Sequence, residues 1–137
     1  MDRLLAVVPF LVAVACGGGV TNPSTTIGKE FTLRPGAMAT VTDAGLRLAL
    51  DKVQDDSRCA VDVTCIWAGD AVAMVRLIPA SGGEESKQLH INGAPERPAQ
   101  VERGDFVVKF VRLTPAPHSQ RPIRPEDYRA TFVIERR

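Results

Sequence analysis

Apolar residues recur at every second position in several short runs of this chain, and that period is what most limits its fold. Phe31 and Leu33 stand between polar neighbours, Leu46, Leu48 and Leu50 alternate with Arg47, Ala49 and Asp51, and Tyr128, Ala130, Phe132 and Ile134 alternate with Arg129, Thr131 and Glu135. Successive side chains of a strand point to opposite faces, so each run offers one face to a core. Residues 71–78 and 106–113 are apolar at nearly every position and rich in Val, which predicts central strands covered on both faces. No stretch of helical length carries apolar groups at helical spacing. Asp43-Ala44-Gly45 separates 38–42 from 46–53, and Ser81-Gly82-Gly83 separates 71–78 from 87–91. Both read as hairpin turns between antiparallel neighbours. The expectation is an all-β domain, a small antiparallel sandwich or barrel of about seven strands with little helix.

Proline marks what is not strand. Pro115, Pro117, Pro122 and Pro125 exclude 114–127 from a central strand and make it a surface loop, and Pro95 and Pro98 mark another.

The first residues decide the destination. Met1-Asp2-Arg3 precedes an uncharged apolar run over 4–15 that ends in Ala13-Val14-Ala15, then Cys16 and Gly17-Gly18-Gly19. A membrane-spanning helix needs about 20 apolar residues; a positive start and a short apolar run closing on small residues is what a signal peptidase reads. The ending resembles the lipobox of bacterial lipoproteins, with Ala13 where Leu is usual. The resemblance implies a signal peptide over 1–15, cleavage before Cys16, acylation of that cysteine, and an anchor at the cell membrane or outer membrane facing the periplasm or exterior. An ordinary secretory signal cleaved near Ala15 is the alternative, and it too exports the chain. Residues 16–26 hold few large apolar groups and are expected to form a flexible tether, leaving 27–137 as one domain of about 110 residues with one modest core.

The cysteine count agrees. Of three cysteines, one set aside for lipid leaves Cys59 and Cys65 as a pair. In an oxidising compartment they can close a short loop, stabilising the fold by roughly 2 kcal/mol on the chain-entropy estimate. Around them stand Asp56, Arg58, Trp67 and Asp70, with Trp67 the only tryptophan. Asp56 and Arg58 suit an Asx-type hydrogen bond and an ion pair that fix the loop, or else a ligand site. Trp67 is expected to pack over the disulfide, with exposed recognition as the alternative. Asp70, at the start of a strand, is expected to be solvated.

Asp56-Ser57-Arg58-Cys59 and Cys65-Ile66-Trp67-Ala68-Gly69-Asp70-Ala71 resemble the signature of a family of bacterial secreted and lipoprotein domains of unassigned function. That family places Pro after the first cysteine where this chain has Ala60. The resemblance implies the disulfide and a β-fold rather than an activity.

Catalysis finds little support in the residues. Ser119 beside His118 lies in the Pro-rich loop, no Gly-x-Ser-x-Gly turn occurs, and Glu84-Glu85 and Glu126-Asp127 sit in polar turns where nothing would raise a carboxyl pKa. His90 and His118 are too far from the cysteines in sequence for zinc-ligand spacing, and Met38 and Met74 are too few for a copper carrier. No catalytic residue, metal or cofactor is expected. With 17 Lys plus Arg against 16 Asp plus Glu and no basic stripe, a nucleic-acid partner is excluded. The expected function is a noncatalytic envelope module, held on the membrane through Cys16, that binds a protein or ligand. The alternative is a peptidase inhibitor presenting the disulfide loop or the 115–125 loop. An enzyme acting on envelope polymers is the least favoured reading.

Overall fold

The computed structural model describes residues 22–137. The signal peptide expected over 1–15 and Cys16 lie outside the described residues. Among the described residues nine strands form two sheets: β1 (Ser24–Thr25), β3 (Met38–Val41), β4 (Leu46–Gln54), β5 (Val72–Pro79) and β6 (Glu85–His90) in the order β1-β3-β4-β5-β6, and β2 (Glu30–Leu33), β9 (Arg129–Arg136), β8 (Phe106–Thr114) and β7 (Gln100–Arg103) in the order β2-β9-β8-β7. A single 3-10 turn, Pro125–Asp127, interrupts the Pro-rich segment. The sandwich alternative is therefore the one adopted, with nine strands rather than seven.

The core lies between the sheets, as the period-two runs require. Leu48, Leu50, Val75, Leu77 and Leu89 of one sheet and Leu33, Val108, Phe132 and Ile134 of the other are fully buried in one cluster. Phe132 is central: its ring stacks on Phe110 at 5.3 Å and lies tilted against Phe31 at 6.1 Å. Burying such a side chain stabilises by about 1.5–3 kcal/mol, so this cluster is what keeps the two layers together.

Three expectations need correction. The Val-rich runs are central in their sheets but covered on one face only, because a two-layer sandwich has no third layer; Met74, Arg76 and Ile78 of β5 are half-buried and Val111 of β8 is exposed. The tether expected over 16–26 is shorter among the described residues, since Ser24 and Thr25 pair in parallel with Thr40 and Val41. This also makes one contact of the fold parallel rather than antiparallel. Finally, β7 lies where no strand was expected: Gln100, Glu102 and Arg103 leave it only Val101 for the core, and its position comes from pairing with β8 across a tight turn.

Strand direction sorts the connections between the two ends of the sandwich. Segments 55–71, 91–99 and 115–128 gather at one end, and the turns at 42–45, 80–84 and 104–105 at the other. β1 runs with β3, so the chain enters β1 from the side of the loop end.

Candidate functional site

The loop end is built on a narrow neck. After β4 the chain turns at Asp55, which takes φ 52°, a left-handed conformation that Asp tolerates better than most residues. The outgoing and returning arms then pair: the Ser57 amide donates to the Asp70 carbonyl at 2.7 Å and the Cys59 amide to the Ala68 carbonyl at 2.9 Å. They approach so closely that a Cβ on Gly69, at φ +68°, would lie 1.8 Å from the Ser57 carbonyl oxygen. Beyond the neck the Cys59–Cys65 disulfide closes the loop, with the two Cα atoms 5.9 Å apart. Both sulfurs are thereby consumed and cannot serve as thiolate ligands.

Asp56 and Arg58 lock this loop onto the second sheet. The Arg58 guanidinium donates to both Asp56 carboxylate oxygens, from Nε and Nη2, each at 2.8 Å. Its remaining donors reach the Leu113 carbonyl at 2.8 Å and the Pro115 carbonyl at 3.0 Å. Tyr128, at the start of β9, completes the cluster by donating its hydroxyl to Asp56 at 2.9 Å. The Asp56 and Arg58 side chains are each only 11% exposed, so the pair is largely withdrawn from water. Burial raises the Asp56 pKa, but hydrogen bonds from Arg58 and Tyr128 and the Arg58 charge outweigh it and hold the carboxyl below its ordinary value. Burial and the adjacent carboxylate push the Tyr128 phenol up to about 12. Tyr128 was placed by its period-two run as a core residue, and nothing local marks it as the partner of a residue 72 positions away.

Asp70 is buried rather than solvated. Its Oδ1 accepts the Ala71 amide at 2.8 Å and the Asn92 amide at 3.2 Å, and its Oδ2 lies 2.6 Å from His90 Nδ1. Burial opposes its ionisation, but the His90 and backbone hydrogen bonds win and its pKa is lowered. The carboxylate thus fastens the start of β5 to the turn after β6, and the Asn92 side chain ties the same turn to the neck by donating Nδ2 to the Gly69 carbonyl at 2.7 Å.

The Pro-rich segment is the surface loop expected, and it is tied down. It is latched to the disulfide loop by the Val61 amide on the Pro117 carbonyl at 3.0 Å and by the Ser119 amide on Asp62 at 2.9 Å, while the Ser119 hydroxyl donates to the same carboxylate. Ser119 is therefore turned toward Asp62 and not toward His118, whose Nδ1 stands 3.4 Å from Asp62. Between the two loops runs an open groove of about 310 Å³, edged by Val61, Pro115, Pro122 and Ile123. Of the paired carboxylates, Glu85 is held down by Lys87 and Arg103, and Asp127 by Arg124.

What these polar contacts leave outside is apolar. Trp67 is 78% exposed and does not cover the disulfide; beside it Ile66 is 97% exposed, and Val61 and Val63 are exposed as well. Among the described residues only one other large hydrophobic side chain, Val111, is exposed. Single exposed apolar groups are ordinary, but four on one short loop make that loop the candidate contact surface. The sequence carried a signal for it: Ile66 and Trp67 are adjacent, and adjacent residues in an extended or turning backbone do not both face the same core. The chain matches no family model, and comparison with curated proteins and with solved structures returns no match.

Proposed function

We propose that this chain is an exported, lipid-anchored, noncatalytic module of the cell envelope that docks onto an envelope component through the tip of its disulfide loop. One observation carries the reading: Val61, Val63, Ile66 and Trp67 are held in water on a backbone fixed by the neck, the disulfide, the Arg58 clamp and the Asp62 latch. A rigid apolar tip loses little conformational entropy on docking, and Trp is favoured where binding energy concentrates. The groups that could have done chemistry are engaged in holding loops, Asp56 with Arg58 and Tyr128, Asp70 with His90, and Ser119 with Asp62. Export and the anchor on Cys16 are supported by the apolar run over 4–15 with its small-residue ending, and by a disulfide suited to an oxidising compartment.

The test is retention of envelope material. The mature protein, immobilised and oxidised, is incubated with solubilised and vesicular envelope fractions beside Ile66→Asp and a reduced sample. Retention by the oxidised protein that is lost in both controls supports docking through the tip. Equal retention by wild type and Ile66→Asp, or substrate turnover abolished by a single substitution, overturns it.

A further inference from the structure

We infer that the component met by the tip is the lipid bilayer that holds the anchor, so that Ile66 and Trp67 rest in the interface of the membrane to which Cys16 ties the chain. The inference rests on the lipid-anchored reading and adds the partner of the docking surface. Three observations carry it.

The first is where the chain leaves the domain. The Thr40 amide donates to the Pro23 carbonyl at 3.0 Å, and Ser24 and Thr25 continue along β3 away from the loop end. Asn22 therefore stands on the loop-end side of β1. From the level of Met38, paired with Ala49, β4 climbs to Gln54 and the neck of the disulfide loop, about 17 Å at ~3.4 Å per residue. Five residues lie between Cys16 and Asn22, and the six steps that join them span at most about 22 Å when fully extended. A leash of that length can bring the anchor to the level of the neck, at the end of the sandwich from which the tip projects.

The second is the chemistry of the tip. Two Val, one Ile and one Trp combine aliphatic bulk with an indole, the group that settles at the membrane–water boundary because its ring is apolar and its N–H stays hydrogen-bonded. Between Cys59 and Gly69 the only charged residue is Asp62, which stays ionised but is turned onto Ser119 of the Pro-rich loop, so Ile66 and Trp67 themselves carry no charge to the interface. The third is that a tethered contact need not be strong. A short leash holds the tip at an effective concentration on the order of millimolar, and a few apolar side chains suffice for partition at that level.

Trp67, as the sole tryptophan, reports on this contact directly. Lipidated protein purified from its own membrane, its acyl groups located on Cys16 by mass spectrometry, is reconstituted into phosphatidylglycerol–phosphatidylcholine vesicles with acyl chains brominated or unbrominated. Expected are a blue-shifted Trp67 emission, loss of most of it to the brominated chains, and reversal of both in Ile66→Asp, whose substituted side chain lies in solvent and leaves the core intact. Acylated protein that floats with the vesicles but keeps a water-like, unquenched Trp67 overturns the inference and leaves the anchor standing. Protection of Trp67 in native envelopes from an aqueous quencher, without quenching by brominated lipid, also overturns it and assigns the tip to a protein partner. Absence of acyl groups together with absence of flotation removes anchor and inference alike; flotation and quenching without acyl groups remove the anchor reading and uphold the tip.

Discussion

Replacing Arg58 by Met tests whether the Asp56–Arg58 pair is a clamp or a ligand site. The substitution keeps an unbranched apolar stem and removes four hydrogen bonds, two to Asp56 and one each to the Leu113 and Pro115 carbonyls. Asp56, now 11% exposed, would keep only the Tyr128 hydroxyl and the long hydrogen bond from the residue 58 amide at 3.3 Å, and the carbonyls of Leu113 and Pro115 would lose charged donors. Breaking a buried pair by removing one partner costs about 3–5 kcal/mol, far more than the pair contributes net, because the remaining charge is stranded. Some water will reach Asp56 once the guanidinium is gone, so the lower part of that range, about 3 kcal/mol, is expected. For a domain whose total stability is typically about 5–15 kcal/mol this is a large loss. Arg58→Lys restores the charge but not the fork that spans Asp56 and the two carbonyls, and should recover less than half. Asp56→Asn with Arg58→Met should be less damaging than the two single costs added together, since the stranded charge is gone. Urea unfolding followed by circular dichroism measures all five proteins, Asp56→Asn alone among them. A loss below about 1 kcal/mol for Arg58→Met at unchanged m-value would refute the clamp and return Arg58 to the candidate ligand-binding residues.

The other expectations rest on single contacts. Gly69→Ala combines a left-handed φ with a Cβ 1.8 Å from the Ser57 carbonyl, so the neck must open, and a cost of about 2 kcal/mol or more is expected in the same urea assay. Removing both Cys59 and Cys65 by substitution with Ser should cost roughly 2 kcal/mol by the loop-closure estimate and leave the core strands protected in hydrogen exchange. Tyr128, the only tyrosine, should titrate at about 12 in ultraviolet difference absorbance against the ordinary 10.0 of a tyrosine; since its folded pKa is raised, its contribution is complete below pH 10 and vanishes as pH rises through about 12. Asp56 has the opposite sign: its folded pKa lies below 3.8, so its contribution is present above about pH 4 and is lost as pH falls through the folded value, and Asp56→Asn should flatten the acid limb of stability against pH.

The strands that could be read from the sequence are those in which burial and backbone period coincide. β4 shows Leu46, Leu48 and Leu50 to the core, and β9 shows Ala130, Phe132 and Ile134, so the pattern on the page is the pattern in space. β1 and β7 have no such coincidence: Ser24 and Thr25 join by backbone pairing alone, and Val101 is the one apolar residue of β7. Choosing sandwich over barrel was likewise beyond any local pattern, because it depends on which strand pairs with β9 and which with β3. In the loop, Asp56 and Arg58 were visible as neighbours two positions apart, whereas Tyr128, His90, Asn92 and Asp62 entered only through contacts made after the fold had formed.

Trp67 exposes the assumption behind the remaining miss. A large aromatic beside a disulfide is expected to fold over it, because in a loop with few other means of support an apolar side chain is the cheapest brace. This loop does not need one. Its neck is held by backbone pairing, its flank by a guanidinium that bonds Asp56 and two carbonyls, its far side by Asp62 on the Pro-rich loop, and its base by Asp70 on the turn after β6. Polar groups do here what apolar groups do in the sandwich, and the apolar residues of 61–67 are thereby released to face outward. Exposure of Ile66 and Trp67 follows from a division of labour within the loop: the polar residues that fix its backbone are the reason an apolar surface can be kept in water without collapsing inward, ready for whatever lies against the loop end.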